Sequence, residues 1–522
     1  MARNEATAPR IINERSRRRH MPDGAARLSA GEPRATSAEP WSKQNPFLQG
    51  PFEPLFNEVS IRSLEVIGRI PMELDGALYR TGSNQHMRPA NPDLFHWFDG
   101  DGMVHAFHLR DGKAGYCNRF VETDGLKLER AAGRPIYNGI YGHSGVRQAP
   151  LPPGAPRIKT VAGINVISLA GRVMTMHEAD SFYWHLDADS LDTLGKFDFG
   201  GRFKSMLTAH PHVDPATGDL LVYGLNYDEM YVECMSIGNM GQVNSHVRTS
   251  MPITPFVHDF IFTENYYVFF FGPIRWRPYA ADTVLAGNSA FSFDRGSPTR
   301  ILLLHRKTGV AKWLEARSFT CDHYLNAYEL GDKIIVDATV TETLDPNADI
   351  RPEEFFPFPL VDKPSPFSGP QLWRIEIDLA RETVSDRRIG EFAAEFVRPN
   401  ESVMGRPHRY GYMAGVHNPG PQTHGFNCLI KHDYLSGRTQ YQHLSSEIEM
   451  TPGEPVFVPR DGGEDEDDGW IMAIWYDPRR NASEMTILAA QDFDGEPVAR
   501  IKLDHRVPLG FHGNWIARTS LR

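Results

Sequence analysis

In ILLLHRKTGVAKWLEA (Ile301–Ala316) a short apolar run meets a turn built from Lys307, Thr308 and Gly309 and then a second strand-like run. An apolar stretch this short, closed by turn residues, reads as a strand. Two such runs joined by turn chemistry form a β-hairpin. The unit recurs as FHLRDGKAGYCNRF (Phe107–Phe120), HLDADSLDTLGKFDF (His185–Phe199), IEIDLARETVSDRRI (Ile375–Ile389), LIKHDYLSGRTQYQHL (Leu429–Leu444) and ILAAQDFDGEPVARIKL (Ile487–Leu503). HPHVDPATGDLLVYG (His210–Gly224) reads as one more blade. A spacing of roughly 50–90 residues suits propeller blades of four strands each. Long helical periodicity is scarce, so the chain reads as all-β.

The bulk numbers agree with this. The chain has 522 residues, 41% hydrophobic and 23% charged, as in a globular protein. A net charge of −11 argues against a nucleic-acid partner. No apolar run approaches the ~20 residues of a membrane span, and YYVFFFGPI (Tyr266–Ile274) is strand-length and ends in Gly and Pro. Cys117, Cys234, Cys321 and Cys428 form no CxxC pair and read as reduced thiols of a cytoplasmic protein. Residues 1–45 are rich in Arg, Ala, Ser and Pro, carry the basic run RSRRRH, and read as a disordered segment. Residues 46–522 read as a single β-propeller catalytic domain.

Four histidines stand in strand-end contexts: His210 in TAHPHVDP, His258 in PFVHDFIF, His323 in CDHYLNAYEL and His512 in VPLGFHGNW. Local metal motifs place ligands three to five residues apart. Ligands this scattered converge only where many strand ends reach one axis, as in a propeller. Taken alone, a His in a strand is more often a satisfied polar residue than a ligand. Imidazoles also suit Fe, Zn, Cu and Ni alike.

The four motifs occur in order with HWFDGDGMVHAF (His96–Phe107), EADSFYWHLDADSLDTLG from Glu178, EFVRP at Glu395 and GEPVFVPR around Glu454. In these, from about Pro46 onward, the chain resembles the carotenoid cleavage oxygenases. This non-haem iron group also includes lignostilbene dioxygenases and the retinal-pigment isomerohydrolase. The resemblance implies a seven-bladed β-propeller with a small helical and loop cap over the metal face. Candidate cap segments are Val121–Gly133 and the stretch from Tyr279 to Asp294. It implies one Fe(2+) per chain on His210, His258, His323 and His512, with Glu178, Glu395 and Glu454 holding the far ring nitrogens. A metal reading of His96, Asp99, Asp101 and His105 in HWFDGDGMVHAF is set aside, because FDGDGM reads as a tight turn between two strands. His212 is expected to face solvent, and the acidic run Gly462–Gly469 to be a solvated loop.

The resemblance also implies the reaction: O2 splits a C=C bond of an apolar conjugated substrate into two carbonyl products. No organic cofactor and no obligate protein partner are implied. Lignostilbene-type relatives bind the substrate's phenol oxygen through a Tyr, which matches Tyr141, and a Lys, whose place His177 takes. A neutral His binds a phenolate poorly. The expectation is therefore a carotenoid or apocarotenoid, with Phe98, Phe256, Tyr324 and Phe511 lining an apolar tunnel. The alternatives are a stilbenoid or phenylpropanoid alkene, a different reaction on the same fold, and a non-catalytic propeller platform. FFPFPLVDKPSPF (Phe355–Phe367) and the segment near Leu285 are candidate peripheral membrane contacts.

Overall fold

The computed structural model describes residues 41–141, 151–277, 283–284, 287–343, 368–420 and 425–521. Five sheets of four to six strands each form a blade. A sixth, seven-stranded sheet supplies two more, because the 16-residue strand Thr383–Arg398 ends one blade and begins the next. The result is a seven-bladed propeller. Numbered along the chain, blades five and six share that strand, and its register breaks between Glu395 and Arg398.

The chain ends close the ring. Glu65–Gly68, near the start, pairs with Ala499–Lys502 as the outermost strand of blade seven. Gly513–Ala517, near the end, pairs with Gly76–Arg80 as the innermost strand of blade one. Both ends of the domain are thus held by ladder hydrogen bonds rather than by side chains alone.

The six hairpins picked out by their turn residues are the third and fourth strands of six blades, for example Thr299–His305 with Ala311–Ala316, and in blades one and seven a fifth strand lies outside them. Blade three departs from expectation. His212–Val213 and Leu220–Asn226 are its inner pair, and its outer hairpin is Tyr231–Ile237 with Val243–Ser250. Apolar side chains fill the space between blades, and Phe260, Tyr267, Phe269 and Leu303 are fully buried between blades three, four and five.

Beyond the blades lie a helix, Asp124–Ala132, and a two-stranded ribbon, Ile274–Trp276 with Phe291–Phe293. The Thr123 hydroxyl caps the helix by accepting from the Leu126 N–H, and Gly133 ends it in the left-handed region. Residues 1–40 of the segment expected to be disordered lie outside the described residues. Residues 41–45 are held in place: the Ser42 hydroxyl donates to Asp93, and the Asn45 amide donates to the Pro92 and Phe95 carbonyls. The segment 355–367 and Leu285 also lie outside the described residues. No described helix is long and apolar enough to cross a membrane.

Candidate metal centre

Each blade sends one residue of the expected set to the axis, and each stands at or beside the end, gap or irregularity of a strand. His210 lies between the two short inner pieces of blade three, Met206–Leu207 and His212–Val213. His258 precedes the inner strand of blade four and His512 that of blade one. His323 lies in the register shift between Cys321 and Tyr324 on blade five. Glu178 follows a strand of blade two, Glu395 borders the irregularity of blade six, and Glu454 fills the gap between Thr451–Pro452 and Val456–Pro459 on blade seven. A regular strand alternates its side chains between neighbouring blades. An irregularity re-aims one of them along the axis.

The Nε2 atoms of the histidines face one another. His210 to His258 is 3.0 Å, His258 to His323 is 3.2 Å, and His323 to His512 is 3.1 Å. All four ligand atoms lie within 4.8 Å of one another. Bonds of about 2.1 Å meeting at right angles put ligand atoms about 3.0 Å apart, and tetrahedral angles about 3.4 Å. The neighbouring spacings lie within this range, and the four-histidine group fits a metal ion.

Behind the rings stand the three glutamates. Glu178 pairs with Nδ1 of His258. Oε2 of Glu395 lies 2.5 Å from Nδ1 of His323, and Oε1 of Glu454 lies 2.8 Å from Nδ1 of His512. Among the described residues His210 has no carboxylate partner. Burial alone would push the His323 ring down, but Glu395 outweighs it and carries the ring up to about 9. Burial wins at His512, which falls to about 4 despite Glu454. His210 also falls well below its usual value, through burial and then its histidine neighbours.

Two cavities meet this cluster. One is aromatic, walled by Trp97, Phe98, Phe256, Phe291, Phe396 and Phe511, with His96, His177, Glu178, Asp322 and Glu395 as its polar members and His258, His323 and His512 at its floor. The other is of mixed polarity and runs beside His210, His323 and His512 past Asn165, Asp259, Arg398, Glu401 and Asn514. Phe98, Phe256, Phe511 and His177 stand at the aromatic cavity. Burial lowers the His177 pKa, and its Nδ1 accepts from the Ala179 N–H, 3.2 Å away.

Tyr324 lines the second cavity rather than the aromatic one. The bulge that turns His323 to the axis turns Tyr324 toward blade four, where its ring lies 5.7 Å from that of Phe270. Tyr141 stands behind the cavity wall, 4.6 Å from the His96 ring and 5.8 Å from Phe291. His212 does not face solvent: its Nε2 lies 3.0 Å from Asp259 Oδ1 and 2.8 Å from the Phe260 carbonyl. The acidic run is only partly solvated, because Asp467 binds Lys431 at 2.6 Å and Glu466 accepts from the Arg409 and Tyr410 N–H groups. Among the FDGDGM residues, Asp101 joins His86 and Glu129 in a second close cluster. The Lys159 ammonium already fills it, 2.7 Å from Asp101 and 2.8 Å from Glu129. The four cysteines are free and buried, and Cys321 packs in the core between blades.

The model of the family "Retinal pigment epithelial membrane protein" matches residues 52–517. A carotenoid cleavage oxygenase of Mycobacterium tuberculosis is 31% identical, over 93% of this chain and 100% of its own. The chain belongs to the carotenoid cleavage oxygenase family. It is an enzyme of the carotenoid oxygenase type, and the platform alternative falls away. An apocarotenoid-15,15'-oxygenase of Synechocystis is also 31% identical, over 86% of this chain and 92% of its own. An isoeugenol monooxygenase of Pseudomonas nitroreducens has the same identity, over 91% and 99%. Among solved structures, the lignostilbene dioxygenase of Pseudomonas brassicacearum superposes with a TM-score of 0.80 at 26% identity, covering 91% of this chain and 99% of that one. Cobalt-substituted Synechocystis ACO gives 0.77 at 29%, covering 89% and 97%.

Proposed function

We propose that the chain is a non-haem Fe(II) dioxygenase that cleaves a C=C bond of a carotenoid or apocarotenoid, with both oxygen atoms of O2 ending in the two carbonyl products. His210, His258, His323 and His512 would hold one Fe(II), and Glu178, Glu395 and Glu454 would fix the rings of three of them. Bound Fe(II) would supply the electrons and the open positions that O2 activation needs. The protein's share is position and dryness. The aromatic walls take a flat apolar polyene, exclude water and hold it beside the histidines.

The observation that carries the choice of substrate is the polar composition of that cavity. Among its described lining residues there is no lysine or arginine, and three of the five polar members outside the histidine cluster, Glu178, Asp322 and Glu395, are acids. Buried His177 favours its neutral form. A phenolate finds no fixed cation there, whereas a polyene needs none. Comparing kcat/KM for an apocarotenal and a 4-hydroxystilbene tests the proposal, with the apocarotenal expected to be faster. A faster hydroxystilbene would favour the stilbenoid reading.

A further inference from the structure

Three glutamates face three histidines, but their surroundings differ. Glu395 is completed by neutral donors: the Thr339 hydroxyl at 2.8 Å and the Phe396 N–H at 2.8 Å. Glu454 instead lies between two guanidinium groups. Arg80, in strand Gly76–Asn84 of blade one, places Nη1 3.1 Å from Oε2. Arg398, at the end of the strand shared by blades five and six, places Nη1 3.2 Å from Oε1. Glu454 and both arginines are buried or nearly so, with side chains 1%, 3% and 15% exposed.

The same arginines also grip the backbone on either side of His512. Arg80 donates to the Phe511 carbonyl, and Arg398 donates to the Gly513 carbonyl at 3.1 Å. Arg398 reaches on to the Asn514 side chain at 2.6 Å and to Glu401 at the surface. Glu454 closes the set by accepting from the Gly513 N–H at 3.0 Å as well as facing the His512 ring. His512 is thus held through its ring and through both neighbouring peptide groups. It sits at the head of Gly513–Ala517, the strand that closes the propeller.

We propose that Arg80 and Arg398 are positioning residues of the metal centre: with Glu454 they form a clamp that seats the closing strand and fixes His512 toward the other three histidines. This rests on the reading that the four histidines hold the metal. A planar guanidinium binds a carboxylate, a carbonyl and an amide at fixed angles together, which an ammonium does not.

Charge and position act here in opposite directions. If Arg398 acted only through its charge, removing it would relieve repulsion of a nearby cation and tighten metal binding. If it acts by position, removal weakens binding, and lysine, which keeps the charge, weakens it too.

The test is anaerobic titration of metal-free wild type, Arg398→Lys and Arg398→Met with Co2+, following the visible Co2+ absorption bands. Arg374→Met, which breaks the buried pair with Asp337 away from the centre, is the stability control. The expected result is a Co2+ affinity roughly 10–100-fold lower in Arg398→Met, as for loss of other groups that orient a ligand. A smaller loss is expected in Arg398→Lys, with altered bands in both. Arg374→Met should melt earlier with unchanged affinity and bands. Wild-type or tighter binding with unchanged bands in Arg398→Met overturns the clamp. Should that variant not fold, the same result in Arg398→Lys overturns it. No uptake by the wild type would overturn the four-histidine reading itself.

Discussion

Oε2 of Glu395 lies 2.5 Å from Nδ1 of His323, although the two residues are 72 positions apart and stand on neighbouring blades. The pair fixes which nitrogen of His323 faces the axis. It also leaves that ring more basic than that of His512. Glu395→Gln keeps the size and an acceptor oxygen but removes the charge. Metal affinity should fall roughly 10–100-fold without unfolding. Isothermal titration of the metal-free protein with Fe(II) under nitrogen measures this, and wild-type affinity would remove Glu395 from the account.

The second prediction concerns the cavity wall. His177→Lys places an ammonium where the wall now holds a buried imidazole. The kcat/KM ratio of 4-hydroxystilbene to apocarotenal should rise several-fold, since a fixed cation stabilises a phenolate and gives nothing to a polyene. An unchanged ratio would show that this position does not meet the substrate.

Much of this was legible in the sequence, and the exceptions have physical reasons. The six outer hairpins were visible because a tight turn is written in local residues such as Lys307, Thr308 and Gly309. The outer hairpin of blade three was missed because the DPATG turn at Asp214–Gly218, which joins its inner strands, gave the louder signal. The four histidines and three glutamates were reached through ordered motifs, not through periodicity, because each stands where the regular strand pattern is interrupted. Arg80 and Arg398 were not reached at all. Arg80 meets Glu454 across 374 residues, and an arginine in a strand reads as a solvent-facing residue. Tyr324 was misplaced because a one-residue change of strand face cannot be seen without the bulge beside it.

The third prediction concerns stability outside the centre. Lys159 is the cation between buried Asp101 and Glu129. Lys159→Met should cost about 3–5 kcal/mol near pH 7, because two buried carboxylates lose their partner. Burial works against the Asp101 carboxylate, but Lys159, ahead of His86, outweighs it and holds it below the usual range. Its contribution is therefore present above the ordinary carboxylate pKa and is lost as pH falls through the lower folded value. The Tm gap between variant and wild type should narrow as pH falls below about 4, and a gap that widens there would contradict the assignment.

A fourth prediction follows from how closely the closing strand is pressed against blade one. A Cβ at Gly513 would lie 2.0 Å from the Tyr79 carbonyl oxygen. Gly513→Ala should destabilise the fold by about 1–3 kcal/mol. It should also weaken metal binding, because the neighbouring His512 moves with the strand. Thermal melting with and without Co2+ measures both, and a wild-type Tm would show that the strand has room to shift.

The central claim is that these four histidines hold one metal ion that the reaction requires. The most direct test is mass spectrometry of the products formed from an apocarotenal by Fe(II)-loaded wild type and by His323→Ala, with iron measured per chain in each. The account predicts about one iron per wild-type chain, two carbonyl fragments from the wild type, and neither iron retention nor fragments from the variant. Full turnover by His323→Ala would contradict it.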